Sequence, residues 1–315
     1  MSADRGQHRG GLLGKALTGS AALGLIGCAA GSLLAREHFY FAYLTVFMTL
    51  LTALLGMMFL VLLHHATDSG WSVVVRRPAE GFLAAIPVMA LLFVPIAAGV
   101  IETSRAASAD THFFEWANPA VVQSDHLLEH KQPFLNVPFF LIRAGFYFLC
   151  WTGIAWLMRR HSIAQDRDAD PGHTLTMRRR SYPLIILYAF TVTFAGIDWV
   201  MTLTPHWFST ILGVYIWSTG LVGGLALLAI VVCRMMRRSL AGKVPTDRLH
   251  DLGKLLFAFA VFWAYIAFSQ WFLIYYANLP EETGWMLARW TGVWKPVTVL
   301  VAVGLFAVPF LLMIN

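Results

Sequence analysis

Apolar residues run through this chain in blocks of about twenty, separated by short polar stretches rich in arginine. Blocks of that length are not the narrow apolar stripe of a surface helix, nor the alternation of a half-buried strand. They match the length a helix needs to cross the hydrocarbon of a bilayer. Lipid offers the backbone no hydrogen-bond partners, so each block is expected to be helical throughout. The pattern predicts spans near 16–35, 39–64, 81–101, 134–158, 182–203, 207–233, 254–279 and 296–314. The expected fold is therefore all-α, a polytopic membrane helix bundle with about eight transmembrane helices. Residues 1–315 form one integral membrane domain: an N-terminal helix 16–35, a first four-helix unit at about 39–203 and an incomplete second unit at about 207–315. Pro87 and Pro95 fall inside the third span and predict a kinked helix there.

Composition names the solvent. The chain is 58% hydrophobic and 13% charged, with a mean hydropathy of +0.65, more than the surface of a water-soluble domain tolerates. The net charge of +6 would suggest nucleic acid only if the basic residues shared a soluble face. Instead they lie between spans and on one side. Arg5, Arg9, Lys15, Arg76, Arg77, Arg159, Arg160, Arg167, Arg178, Arg179, Arg180, Arg234, Arg237, Arg238, Lys243, Arg248 and Lys254 stand on the side of the N-terminus, and only Arg36, Arg105, Lys131, Arg289 and Lys295 on the other. The positive-inside rule then puts the N-terminus in the cytoplasm. Lys15 and the apolar run to Cys28 imitate a lipoprotein signal, but the segment is read as a retained span. Cys28, Cys150 and Cys233 stand singly, so the chain has no paired-cysteine motif for zinc, an iron–sulfur cluster or covalent haem. His64, His65 and His206 lie near span ends on opposite sides, which is not the arrangement of a membrane haem.

Charges inside spans demand a reason, since each costs about 2.5–3.5 kcal/mol on insertion scales. Arg143 in the fourth span and Asp198 in the fifth sit at matching depth below the outer surface. Helices joined by one loop usually pack together, which makes a structural ion pair the economical reading. The functional reading is a polar step in a proton path or quinone pocket, with Gln270 in the same layer. A second group, His64, His65 and Asp68, ends the second span, with His64 and Asp68 spaced to share a helix face. It reads either as interfacial capping or as a proton entry. The long outer segment 102–133 carries Glu102, Asp110, His112, Glu115, Asp125, His126, Glu129 and His130. Such a loop either docks a partner or packs over the bundle, and its histidines lack the compact spacing of a metal site. Trp199, Trp207, Trp263, Trp271, Trp285, Trp290 and Trp294 are expected in an interfacial belt.

Two strings carry a resemblance. Thr193 to Gly220, TFAGIDWVMTLTPHWFSTILGVYIWSTG, and Leu255 to Glu282, LLFAFAVFWAYIAFSQWFLIYYANLPEE, closely resemble the ActF-type membrane subunit of alternative complex III, in the NrfD/PsrC-like superfamily. The segment from His64 through Trp71 and Pro78 to Pro95 is similar too. The resemblance implies a subunit of a quinol:cytochrome c oxidoreductase in the bacterial inner membrane that binds no cofactor itself. Haem c and iron–sulfur clusters would belong to partners: a paralogous NrfD-like membrane subunit, an iron–sulfur subunit, and multihaem and monohaem cytochromes c. It further implies a role in proton conduction, with quinone or quinol as the candidate small molecule. Asp198, His206 and Gln270 lie within the matching strings, whereas Arg143 rests on the depth argument alone. Members of that family commonly continue for two more helices, so either this chain is truncated or a neighbouring polypeptide is expected to complete the second unit. Membrane lipids are the remaining partner and nucleic acid is not one. The competing classes are a secondary transporter, which would show broken spans at matching places in two halves, and a stand-alone membrane enzyme.

Overall fold

The structure is a computed structural model that describes residues 2–70, 73–106, 113–238 and 247–314. Among the described residues every regular element is helical. In chain order they are α1 (Ser2–Leu34), α2 (Arg36–Ala66), α3 (Val73–Leu83), α4 (Ile86–Leu92), α5 (Val94–Arg105), α6 (Pro119–Ser124), α7 (His126–Lys131), α8 (Val137–Asp168), α9 (Gly172–Trp199), α10 (Leu212–Arg238), α11 (Asp247–Ala277), α12 (Pro280–Trp290), α13 (Trp294–Ala302) and α14 (Val308–Met313). Among the described residues seven spans, two of them assembled from broken helices, are long and apolar enough to cross a membrane, the mark of a multi-pass membrane protein. The expected span at 16–35 falls within α1, whose apolar stretch Thr18–Leu34 packs chiefly on α2.

The helix α2 is the axis of the bundle. Leu44, Phe47, Leu51, Leu55, Met58 and Leu62 recur every three or four residues and are all buried, while Val46 and Leu50 on the other face are open. Helices α3, α4, α5, α9 and α10 pack around it. The contact with α10 is the closest, because Thr52, Ala53 and Gly56 face Gly220 and Gly224. A Cβ on Gly224 would come 2.6 Å from the Ala53 carbonyl oxygen. Helices in lipid gain little from hydrophobicity, so this small-on-small approach is what binds the pair.

The third span is broken rather than merely bent. It runs through α3, α4 and α5, with Pro87 and Pro95 each near the start of a new segment, where the missing N–H is least costly. The last span is also interrupted: a π-helical turn at Val303–Ala307 precedes Pro309. Residues 113–136 fold as a cap over one end of the bundle, burying Phe113, Phe114, Trp116, Val122, Leu128 and Leu135. We call this the capped end and the opposite one, where the loop arginines gather, the basic end. Trp199, Trp207 and Trp263 are packed inside the protein rather than in a lipid-facing belt, whereas Trp271, Trp290 and Trp294 are exposed.

Candidate functional site

At the capped end, Asn136 caps α8 by accepting the Phe139 amide hydrogen, and this sets Arg143 and Tyr147 on one face of its first turns. Asp198 enters the same layer from the last turn of α9. Arg143 Nε and Nη2 donate to its Oδ2 and Oδ1 at 2.8 and 2.9 Å, and the Tyr147 hydroxyl donates to Oδ2 at 2.8 Å. The remaining guanidinium face is also used: Nη1 donates to the Phe134 carbonyl, and the cation lies 4.0 Å from the Phe134 ring centroid and 4.3 Å from that of Phe139. Asp198 is wholly buried, and beneath it Phe93, Phe148 and Trp151 pack around Trp199. This is a bidentate, fully partnered ion pair, the geometry that makes burying two charges affordable.

Gln270 and His206 lie outside that pair. The Ser209 hydroxyl donates to Gln270 Oε1 at 2.5 Å. His206 Nε2 meets Asp125 Oδ2 at 2.6 Å on the surface, and Lys131 Nζ donates to the Pro205 carbonyl beside it. These two contacts clasp the cap to the segment after α9. Desolvation pushes the Asp125 carboxyl up, but the Leu127 and Leu128 amides and His206 together bring it below its ordinary value.

The acidic segment is divided between internal contacts and open surface. Glu102 belongs to α5 rather than to the loop, and it holds Arg36 at 2.6 Å and the Tyr40 hydroxyl at 2.8 Å. Glu115 starts a short 3₁₀ turn. His126, Glu129 and His130 on α7 stay exposed. Asp110 and His112 lie outside the described residues.

At the basic end, His64 and His65 are both buried on the last turns of α2. Asp68 does not share their face. The helix ends at Ala66, Asp68 adopts a left-handed φ of 53°, and its carboxylate pairs with Arg178 of α9 at 2.9 Å in the open. The acid that joins the histidines' end of the bundle is Glu80, on α3 inside the third span and only 3% exposed. Its Oε2 accepts from the Ser162 hydroxyl at 2.5 Å and from Arg77 at 3.2 Å. Its Oε1 stands 3.4 Å from Arg76 Nε, an ion-pair distance, but the two are not aligned as a hydrogen bond. Arg77 also pairs with Asp166, and Arg159 donates to the Glu80 carbonyl at 2.9 Å. Sequence reasoning missed Glu80 because it stood just outside the predicted 81–101 span, beside two arginines, like any loop acid. The available signal was the i, i+4 and i, i+3 spacing of Arg76 and Arg77 to it.

The two clusters differ chemically. Both oxygens of Asp198 are held by donors from Arg143 and Tyr147, so transferring a proton through the pair requires dismantling it. The Glu80 cluster holds a buried carboxylate with one oxygen lacking an aligned donor, and on the last turn of α2 His65 Nε2 is also without a hydrogen bond. Among the described residues no three His, Cys, Asp or Glu side chains converge as metal ligands. No family model matches the chain, and no curated protein sequence matches it.

Proposed function

We propose that this chain is a membrane-embedded subunit of a quinol-oxidising electron-transfer assembly of the alternative complex III type, in the bacterial cytoplasmic membrane. In this reading it carries no redox group and contributes a path for protons. The observation that carries the reading is the buried Glu80, set inside a membrane span against Arg76, Arg77 and Ser162, at the end of the bundle where the buried His64 and His65 also lie. An ionisable group held within a membrane span is costly, and proton relays are a principal use of such groups. The N-terminus is cytoplasmic, because the basic end then faces inward. Protons enter at the basic end, where Glu80 and His65 retain unused acceptor positions. The Arg143–Asp198 pair fastens α8 to α9 and holds the outer layer closed. The exposed His126, Glu129 and His130 present the cap to the partners that carry haem c and iron–sulfur clusters.

Purification in mild detergent tests the assembly: co-migration with cytochrome c and iron–sulfur subunits and quinol oxidation by the complex are expected. A lone homo-oligomer would overturn it. Within the complex, Glu80→Gln is expected to lower proton translocation per electron while quinol oxidation persists. Unchanged translocation would remove Glu80 from the path. A secondary transporter gains nothing from the broken spans, since the breaks at Pro87 and Pro95 and at Pro309 fall at non-matching places in the two units.

A further inference from the structure

Between α11, α12 and α13 lies a groove of about 920 Å³, walled largely by aromatic and aliphatic side chains, among them Trp271, Trp285, Trp290 and Trp294. The polar side chains of its lining are Gln270 and Arg289, with Tyr215, Tyr265 and Thr298. Arg289 lies flat on the Trp285 ring, 3.5 Å from its centroid, and Nη1 donates to the Trp285 carbonyl. Among the described residues no carboxylate reaches ion-pair distance of Arg289, and none reaches Lys295, whose ammonium stands 5.9 Å from the Trp290 ring. The acids of α12, Glu281 and Glu282, sit in its first turn, about two turns from Arg289. Gln270 Oε1 is occupied by Ser209, while nothing among the described residues accepts from its Nε2. Burial without a counter-charge brings Arg289 down to about 10 from its ordinary value, with Tyr215 opposing.

We infer that this groove binds one diacyl glycerophospholipid, its phosphodiester on Arg289 and Lys295 and an acyl chain along the tryptophan wall. Charge decides among occupants. A half-buried guanidinium with no acid beside it is stabilised by an anion, and phosphate is the anion that a membrane supplies. A neutral quinone ring leaves that charge uncompensated, and a neighbouring apolar helix would bury it further. The acyl chain meets apolar walls. The Gln270 Nε2 supplies a donor for an ester carbonyl. The inference is independent of the proposed electron-transfer role, because its test needs neither turnover nor partner subunits.

The full chain, purified in mild detergent and stripped of loosely held lipid, is titrated by native mass spectrometry with phosphatidylglycerol and with a diacylglycerol of the same chains. One phosphatidylglycerol per chain should bind saturably and the diacylglycerol at least about tenfold more weakly, the loss expected for one charge-assisted contact. Arg289→Gln should weaken phosphatidylglycerol to a similar degree, and Arg289→Lys should restore most of it. Equal binding of the two lipids, or graded uptake without saturation, overturns the inference. So does displacement by inorganic phosphate alone, which marks a headgroup-only site, or displacement by a neutral quinone analogue. Should Arg289→Gln fail to fold, the comparison of the two lipids on the unaltered chain still decides.

Discussion

Asp198 accepts three hydrogen bonds, two from Arg143 and one from Tyr147, in a layer closed to water. Removing one member of such a pair strands a buried charge, at a cost of about 3–5 kcal/mol, whereas replacing both with apolar groups of similar volume is often neutral. Asp198→Asn is therefore expected to lower the denaturant midpoint of the solubilised protein strongly, and Arg143→Met with Asp198→Leu to regain most of the loss. A double variant as unstable as the single one would show that the pair does more than fasten two helices. At the surface the sign of a pH effect follows from Asp125. Its carboxyl lies below the ordinary 3.8, so its contribution to holding the cap is fully present above that value and drains away as pH falls beneath it. Hydrogen exchange of the α7 amides should accelerate over that acid range, and Asp125→Asn should abolish the dependence. At this scale the sequence was legible where a charge interrupted an apolar block, as at Arg143 and Asp198. It was not legible at Glu80, at the edge of a block, or at Asp68, where the i, i+4 argument assumed a helix that stops at Ala66.

The elements show a similar division. Apolar blocks marked where helices cross, but not where they end. Helix α8 continues ten residues past the predicted 158, and α9 starts ten before the predicted 182, because RRHSIAQDRD and the stretch after Gly172 propagate helix well in water. Only Ala169, in the left-handed region, and the residues to Pro171 separate them. Hydrophobicity alone also conceals which helices touch. The α2–α10 contact depends on Gly56, Gly220 and Gly224, whose missing side chains leave no trace in a hydropathy profile. Placing Leu at Gly220 would drive its side chain into the Thr52 backbone, so the helices must separate. Overpacking of this kind costs about 1–3 kcal/mol and often more. Gly220→Leu is expected to cut the yield of folded protein in detergent, and Gly223→Leu, at a position where an added Cβ meets only Ala53 Cβ at 4.0 Å, to be far milder. Equal effects would mean that the α2–α10 approach is not what holds the core.

Across the whole molecule, burial is uneven. The apolar stretch of the α2 span is 56% buried within the protein, that of α11 is 22% and that of α13–α14 is 0%. Since lipid contacts apolar surface as well as protein does, exposed faces carry no penalty, but helices with few internal contacts also have little to hold them. The last span is held chiefly through α11 and α12, for example by the Phe257–Phe310 stack at 5.5 Å, and its hydrogen-bond ladder is already irregular at Val303–Ala307. Stability should therefore be graded, with α13–α14 separating before the α2–α9–α10 core opens. Two reporter pairs test this in the solubilised chain: Phe257→Cys with Phe310→Cys, and, across α2 and α10, Phe59→Cys with Trp217→Cys, whose rings lie 5.0 Å apart. Crosslinking of the first pair by a short thiol reagent should be lost at a lower fraction of SDS than crosslinking of the second. Simultaneous loss would show that the weakly buried span unfolds with the core, and that its packing on α11 is stronger than its buried surface indicates.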